Sequence, residues 1–413
     1  MSAMTKDKLA LHGGPPAAQR NWPTWPIWDD AERRGLLEVL ESGNWWFGER
    51  VKQFEQAYAA FHHVGFGVSC TNGTTAIEIA LRAIGVLPGD EVIVPAYSFV
   101  ATASAVVTVG AIPIFADIEP DTLCIDPYDV ARKVTPRTRA VIPVHVAGRF
   151  ANMDELMPIA AKHGLAVLED AAHAWGSMRD GKGPGTIGRC ATFSFQVSKN
   201  ITAGEGGILL TNDEALADLC RSYTHCGRRK GSNWYDHDYL GTNARMTEFQ
   251  AAILLAQLGR LESQTLRRQR SAAMLDERLS NLPGVSLIRP EPRMTRRSYH
   301  MYICRLNEQE LGISRDRFID ALNAEGLPAS RGWYHPLYAN GVFQNTTTER
   351  PHGIIAPLAG HEVEYRTVRC PVSEQVCRDA VWIPQNVLLA PDDDIRAAAD
   401  AVKKVIANLK DLG

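Results

Sequence analysis

The chain has 413 residues, which at roughly 150 per domain is enough for a sizeable core without disulfide or metal staples. Hydrophobic residues make up 45% and charged ones 22%, a balance that excludes disordered, collagen-like and coiled-coil chains. Lys+Arg 44 against Asp+Glu 47 leaves a formal charge of -3 with no dense basic cluster, which argues against nucleic acid, and no apolar run approaches the ~18 residues needed to cross a bilayer, which argues against a membrane.

The N-terminal "MSAMTKDKLALHGGPP" has no apolar centre, so neither a signal nor a transit peptide is expected and the cytoplasm is the default. Eight scattered cysteines form no C-x-x-C pair and no cluster with the histidines, so they are read as buried thiols and no metal site is expected. From about Val64 to Leu210 a theme repeats: a short β-branched run, a turn, a helical pattern. The expected strands cover 65–69, 91–96, 112–118, 139–145, 164–171, 190–195 and 206–212, with helices between the first five, such as Thr74–Ile84. Near-continuous apolar strands alternating with helices point to an α/β fold with a mostly parallel seven-stranded sheet covered on both faces. A helix over Asp213–Ser222 follows, then a long helical stretch from Thr247 to about Leu279 that Gly259 is expected to interrupt. Prolines in "NLPGVSLIRPEPR" punctuate a boundary. Beyond it the pattern gives a strand at 298–306, a helix at Ser314–Glu325, a strand at 381–384 and a closing helix at Asp393–Leu409. The reading is a large domain over 1–270, N-terminal segment included, and a smaller C-terminal α/β domain over 271–413.

"GPGTIG" matches the G-x-G-x-x-G spacing with Gly183, Gly185 and Gly188, but it contains Pro184 and leads into a strand, whereas a dinucleotide site needs a strand before and a helix after. Three strand ends are more informative, because ligands of such sheets bind outside the carboxyl ends of the strands. "VSCTNGTTAIEIAL" places Gly73, Thr74 and Thr75 at a helix start, where free N–H groups and hydroxyls suit a phosphate; plain capping by Thr71 or Asn72 is the alternative. "GLAVLEDAAHAWGS" ends a buried strand with Glu169 and Asp170, followed by His173; a carboxylate there needs a cation or donors, unless it merely caps the next element. "ATFSFQVSKNITAGEGG" leads an apolar strand to Ser194 and Lys199, one of eleven lysines and one set among small residues and glycines. A phosphate cradle, a strand-end aspartate and a lysine in the next element are what pyridoxal 5′-phosphate requires: lysine for the aldehyde, aspartate for the pyridine nitrogen, helix end for the phosphate. Phe99, or Tyr97, would stack on the ring.

These stretches resemble the DegT/DnrJ/StrS-type sugar aminotransferases, enzymes of pyridoxal phosphate fold type I. The likeness begins with "LALHGGPP" and "VLESGNWWFG" and runs through "CTNGTTAIEIAL", "DEVIVPAYSFVATASAV", "VIPVHVAGRFANMDEL", "LEDAAHAWGS" and "FSFQVSKNITAGEGG" to "GTNARMTEFQAAIL". It implies Lys199 as the Schiff-base lysine and proton shuttle, Asp170 as partner of the pyridine nitrogen, Phe99 as the stacking ring, and Gly73, Thr74 and Ser194 as phosphate ligands. His173 would lie beside the cofactor's phenolic oxygen. Asn243 matches an asparagine that reaches the neighbouring subunit's phosphate, so the resemblance implies a homodimer with shared sites. Two positions depart from the family pattern: Ala244 stands where a tyrosine is common, and Gln196 where many nucleotide-sugar members have histidine. "SFQ-x-x-K" and "VWIPQNVLLA" are similar to the branch of inosose aminotransferases and aminohydroxybenzoate synthases. The implied activity is a two-step transamination from glutamine or glutamate to a keto sugar or keto-cyclitol. Arg245 is a candidate for the donor carboxylate, and Trp45, Trp46, Trp333, Tyr334 and His335 for flanking a polyhydroxylated acceptor. An aromatising synthase is the alternative; a sugar dehydratase is disfavoured because it replaces the lysine by histidine, and a ligand-sensing regulator because too few residues precede Asp30 for a DNA-binding module.

Overall fold

The structure is a computed structural model, and it describes residues 8–18, 21–344 and 364–412. Residues 1–7, part of the stretch read against a leader peptide, lie outside the described residues. The strands Phe66–Cys70 (β1), Glu91–Pro95 (β2), Ile112–Ala116 (β3), Thr138–Val141 (β4), Ala166–Asp170 (β5), Met178–Arg179 (β6), Cys190–Ser194 (β7) and Gly207–Thr211 (β8) include all seven of the expected runs. β6 stands apart from them. The other seven form one sheet in the order β1-β8-β7-β5-β4-β2-β3. Pairing is parallel from β7 through β5, β4 and β2 to β3, while β8 runs antiparallel to both β7 and β1.

Helices Gly73–Ala83, Ala101–Thr108, Pro127–Lys133 and Met153–His163 follow the first four strands. Side chains such as Val92, Val94, Ala80 and Leu81 are 0% exposed between the helices and the sheet, as expected where apolar strands are covered on both faces. Two helices before the sheet, Asp30–Ser42 and Glu49–Phe61, were not anticipated. The first carries a capping box made by Asp29 and Glu32. The second is held at its start by Glu248, whose carboxylate accepts from the N–H groups of Gly48, Arg50 and Val51.

The long helix runs unbroken over Glu248–Leu279 and does not stop at Gly259. Glycine weakens a helix interior without forbidding it, and here the capping box of Thr247 and Gln250 starts a helix whose buried face, including Ala251, Leu254, Leu261 and Leu275, carries it through. Gly259 is exposed, and a Cβ built on it meets nothing within 4 Å. Gly259→Ala is therefore expected to stabilise the protein by roughly 0.5–1 kcal/mol, read as a higher denaturation midpoint.

The C-terminal part is built on the strands Val285–Leu287 (β9), Met294–Arg296 (β10), Met301–Leu306 (β11) and Ala380–Pro384 (β12). β12, β11 and β9 form an antiparallel sheet, and β10 pairs with β6, which ties this part to the segment that follows β5. Residue 270 lies inside the long helix, and Leu9 and Ala18 pack in one cluster with Tyr302, Phe318 and Val402. The fully buried Glu325 fastens the N-terminal segment there: its carboxylate accepts from the N–H of Ala10 and of Ala17, each at 2.8 Å, and pairs with Lys404 at 2.9 Å. By its contacts the segment therefore joins the C-terminal part. Seven of the eight cysteines are buried and Cys226 is half-buried; all are free thiols.

Candidate active site

Successive residues of a strand face opposite sides of the sheet, and the end of β5 uses this to separate two carboxylates. Glu169 turns to one face, where it is fully buried and accepts from the N–H groups of Gly185 at 3.0 Å and Gly188 at 2.8 Å, with His145 Nε2 at 2.9 Å. Two of the three glycines that mimic a dinucleotide fingerprint thus serve as donors to a structural carboxylate. Asp170 turns to the other face and accepts from Thr102 Oγ1 at 2.8 Å and from the Ala172 N–H at 3.1 Å. Burial pushes its carboxyl up from the ordinary range, against these hydrogen bonds and the positive charge of Lys199.

Asp170 opens on a cavity of about 730 Å³ that is also lined by Gly73, Thr74, Thr75, Phe99, His173, Ser194 and Lys199. Eight of the nine predicted site residues therefore share one enclosure. Gly73 and Thr74 occupy the first turn of the helix Gly73–Ala83, where N–H groups lack intrahelical partners. Asn72 caps that helix through the Thr75 N–H at 2.9 Å, so both readings of this turn hold together: one N–H is capped and two remain for a ligand. The helix end approaches β7 so closely that a Cβ on Gly73 would lie 2.7 Å from Ser194 Cβ and 3.1 Å from Ser194 Cα. Gly73→Ala is expected to cost roughly 1–3 kcal/mol of stability and to weaken phosphate-ester binding at least ~10-fold, measured by titration with pyridoxal phosphate.

Lys199 leaves the end of β7, and its Nζ sits 5.6 Å from the ring centroid of Trp175 with no ion-pair partner among the described residues. Burial lowers its pKa from 10.5 to about 8, with Asp170 pulling the other way. A poised amine in a cleft with a charge partner is a functional-site signature. Phe99 is 59% exposed and bares its ring to the cavity, whereas Tyr97 is fully buried and accepts from Trp382 Nε1 at 3.2 Å, which makes it part of the core. His173 is stacked on Trp333, with centroids 5.8 Å apart and planes at 12°, and lies 4.5 Å from the ring of His300. Burial holds His173 well below its ordinary pKa, and its Nδ1 has no partner.

Asn243 is the exception. It is exposed and makes a β-bridge with His225, outside the cavity. Arg245 is also outside, placed over the ring of Trp46 at 5.2 Å. Of the candidate aromatics only Trp333 lines the cavity; Trp45 and Trp46 pack near Phe249 and Trp234, and Tyr334 and His335 are exposed. Sequence reasoning missed Thr102, His300 and Trp382, which reach the cavity from the helix Ala101–Thr108 and from near or on β11 and β12. Only His300, in the strand-like "SYHMYIC", carried a signal in its residue type.

The donor set fits pyridoxal phosphate: a helix end too close to β7 for any side chain, an aspartate with spare acceptor sites, a neutral-prone lysine, and an orphaned histidine nitrogen beside them. Known proteins resemble the chain over nearly its whole length. 3-Amino-5-hydroxybenzoate synthase of Amycolatopsis mediterranei (strain S699) is 37% identical over 393 residues, 94% of this chain and 97% of the other. L-glutamine:2-deoxy-scyllo-inosose aminotransferase of Micromonospora echinospora is 36% identical over 423 residues, covering 98% of this chain and 99% of its own. The crystal structure of a 3-amino-5-hydroxybenzoic acid synthase superposes with a TM-score of 0.85 at 37% identity, covering 94% of this chain and 99% of that one. With residues 26–403 also matching the family profile, the chain belongs to the DegT/DnrJ/EryC1/StrS aminotransferase family.

Proposed function

We propose that this aminotransferase uses pyridoxal phosphate to move an amino group from glutamine or glutamate to a keto sugar or keto-cyclitol. The observation that carries the reading is Lys199, an amine with a lowered pKa facing the same cavity as Asp170 and the helix end at Gly73. When bound, the cofactor supplies an electron sink for the carbon that loses its proton. The chain's residues do the rest. Gly73, Thr74, Thr75 and Ser194 bind the phosphate; Phe99 covers one ring face; Asp170, held by Thr102 and Ala172, keeps a proton on the ring nitrogen. Lys199 takes the proton from one substrate's carbon as a neutral amine and returns it on the other side of the reaction, a role for which a pKa near working pH is best. His173 would face the cofactor's phenolic oxygen.

The positions of Asn243, which is exposed, and of Arg245, half-buried over Trp46, both outside the cavity, support the same proposal in another way: a homodimer would carry them to the neighbouring cavity, Asn243 toward its phosphate and Arg245 toward the donor carboxylate. The division into a cofactor-binding part and a smaller C-terminal part belongs to the same proposal. Among the described residues no helix is long and apolar enough to cross a membrane. A second reading, amination followed by aromatisation, is favoured by the 37% identity to 3-amino-5-hydroxybenzoate synthase. The test is to load the enzyme with pyridoxal phosphate, charge it with glutamine, glutamate or alanine, then offer scyllo-inosose, keto sugars and an aminodehydroquinate-like substrate. Return of the original absorption with an aminated cyclitol or sugar supports the first reading, an aromatic product the second, and a chain that takes up no pyridoxal phosphate overturns both.

A further inference from the structure

The hydrogen bonds around His300 determine which of its ring nitrogens carries the proton. Asn200, which follows Lys199 directly, donates from Nδ2 to the Ser298 carbonyl at 2.8 Å, a partner that can only accept. Its Oδ1 is therefore the atom 3.1 Å from His300 Nδ1, so Nδ1 must bear the hydrogen. The arrangement is tightly held: Asn200 is 1% and Ser298 0% exposed, and Ser298 Oγ donates to the His173 carbonyl at 2.8 Å. The His300 ring is packed between His173 at 4.5 Å and Trp175 at 5.2 Å, and it lines the cavity while only 7% exposed. Burial, His173 and the cations Lys199 and Arg268 all disfavour a second proton on it. A neutral imidazole with hydrogen on Nδ1 leaves Nε2 as a bare acceptor.

Among the described residues no group donates to Nε2; Lys199, though close enough to act on it electrostatically, makes no hydrogen bond to it. Pyridoxal phosphate, when bound, would turn its ring N–H toward Asp170 and so away from this nitrogen. A substrate entering the end of the cavity by Lys199, His173 and His300 meets this bare acceptor and gains by bringing a donor to it. Beside its reacting carbon glutamine has a carboxylate and a methylene, neither of which donates; a keto sugar or keto-cyclitol has ring hydroxyls there. We propose that His300 is a specificity-determining residue of the second half-reaction, its Nε2 accepting a hydrogen bond from an acceptor hydroxyl next to the carbonyl that is aminated. This rests on the acceptor class proposed above and deepens it: the substrate carries a hydroxyl near its carbonyl. A buried acceptor discriminates against analogues that leave it unpaired.

Two measurements test this. In the ¹⁵N-histidine spectrum of the wild-type protein without substrate, the signals lost in His300→Gln should be those of an imidazole protonated on Nδ1; protonation on Nε2 overturns the proposal. In single-turnover experiments, His300→Phe should lower the rate constant over Kd for scyllo-inosose roughly 10–100-fold, leave the half-reaction with glutamine within about 3-fold, and be partly rescued by His300→Gln. Equal losses in both half-reactions, or none in either, overturn the role of His300 while wild-type turnover stands. A wild-type enzyme that accepts amino groups from glutamine yet aminates no polyhydroxylated ketone overturns the acceptor class and, with it, this assignment.

Discussion

Lys199→Ala is expected to lower transamination by at least ~10⁴-fold while leaving the protein folded and able to hold pyridoxal phosphate non-covalently. The wild type, once loaded, is expected to be yellow, with absorption above roughly 400 nm that borohydride bleaches as it fixes the cofactor to the chain. The variant cannot be fixed in this way, and mass spectrometry after borohydride should show unmodified protein. The reasoning is geometric: Lys199 is the lysine that lines the cavity, and no other described lysine replaces it. Retention of more than a few per cent of the activity would place the proton-transferring amine elsewhere.

The same lysine makes a stability prediction with a definite sign. Its folded pKa of about 8 lies below the ordinary 10.5, so between these values the unfolded chain binds the extra proton and stability rises with pH. Below pH 8 the cofactor-free fold carries the full cost of burying a cation. Lys199→Met, which keeps the volume and removes the charge, is expected to stabilise the cofactor-free protein at pH 7 by roughly 2–3 kcal/mol. That gain should shrink as pH rises from 8 and vanish above 10.5. A gain independent of pH would show that packing, not ionisation, sets the difference.

Asp170→Asn carries the second large effect. The carboxylate is held by Thr102 and Ala172, and the substitution preserves its shape while removing the charge that keeps a proton on the pyridine nitrogen. We expect kcat to fall about 10²–10³-fold with little change in the KM of either substrate, because the interaction grows as charge moves into the ring. Thr102→Val should act in the same direction but more weakly, since it removes one of two donors. If Asp170→Asn raised KM alone, the aspartate would be a binding group only.

The strands of the large sheet were legible because each is a short β-branched or apolar run ending in small or polar residues, and all seven pair as one sheet. The cavity residues among them were legible for the same reason: Gly73, Asp170, Ser194 and Lys199 stand at or just beyond strand ends, where such sheets bind ligands. His300, Trp333 and Trp382 were harder because local pattern says which residues form a strand or loop but not which distant cavity they enter. Trp333 is stacked on His173, a hundred and more residues earlier in the chain, only once the C-terminal part has docked. Tyr334, its neighbour, is 64% exposed; being aromatic does not distinguish the two. The ribbon of β6 and β10 had no signature because two or three paired residues leave no periodicity to detect.

The antiparallel strand β8 also sets an order of events during synthesis. β1 is an edge strand whose partner in the sheet is β8, pairing Phe66 with Thr211 and Cys70 with Gly207, some 140 residues later. A ribosome adding roughly 5–20 residues per second needs on the order of 10 s to cover that distance. During that interval β1 has the helix Glu49–Phe61 beside it but no strand partner, and the turn it presents, Asn72 and Gly73, lacks the surface against which it packs most closely, Ser194 and Gly207. The phosphate cradle is thus encoded early and assembled late. A nascent chain stalled before Gly207 should leave Phe66–Cys70 open to a protease that the finished protein resists.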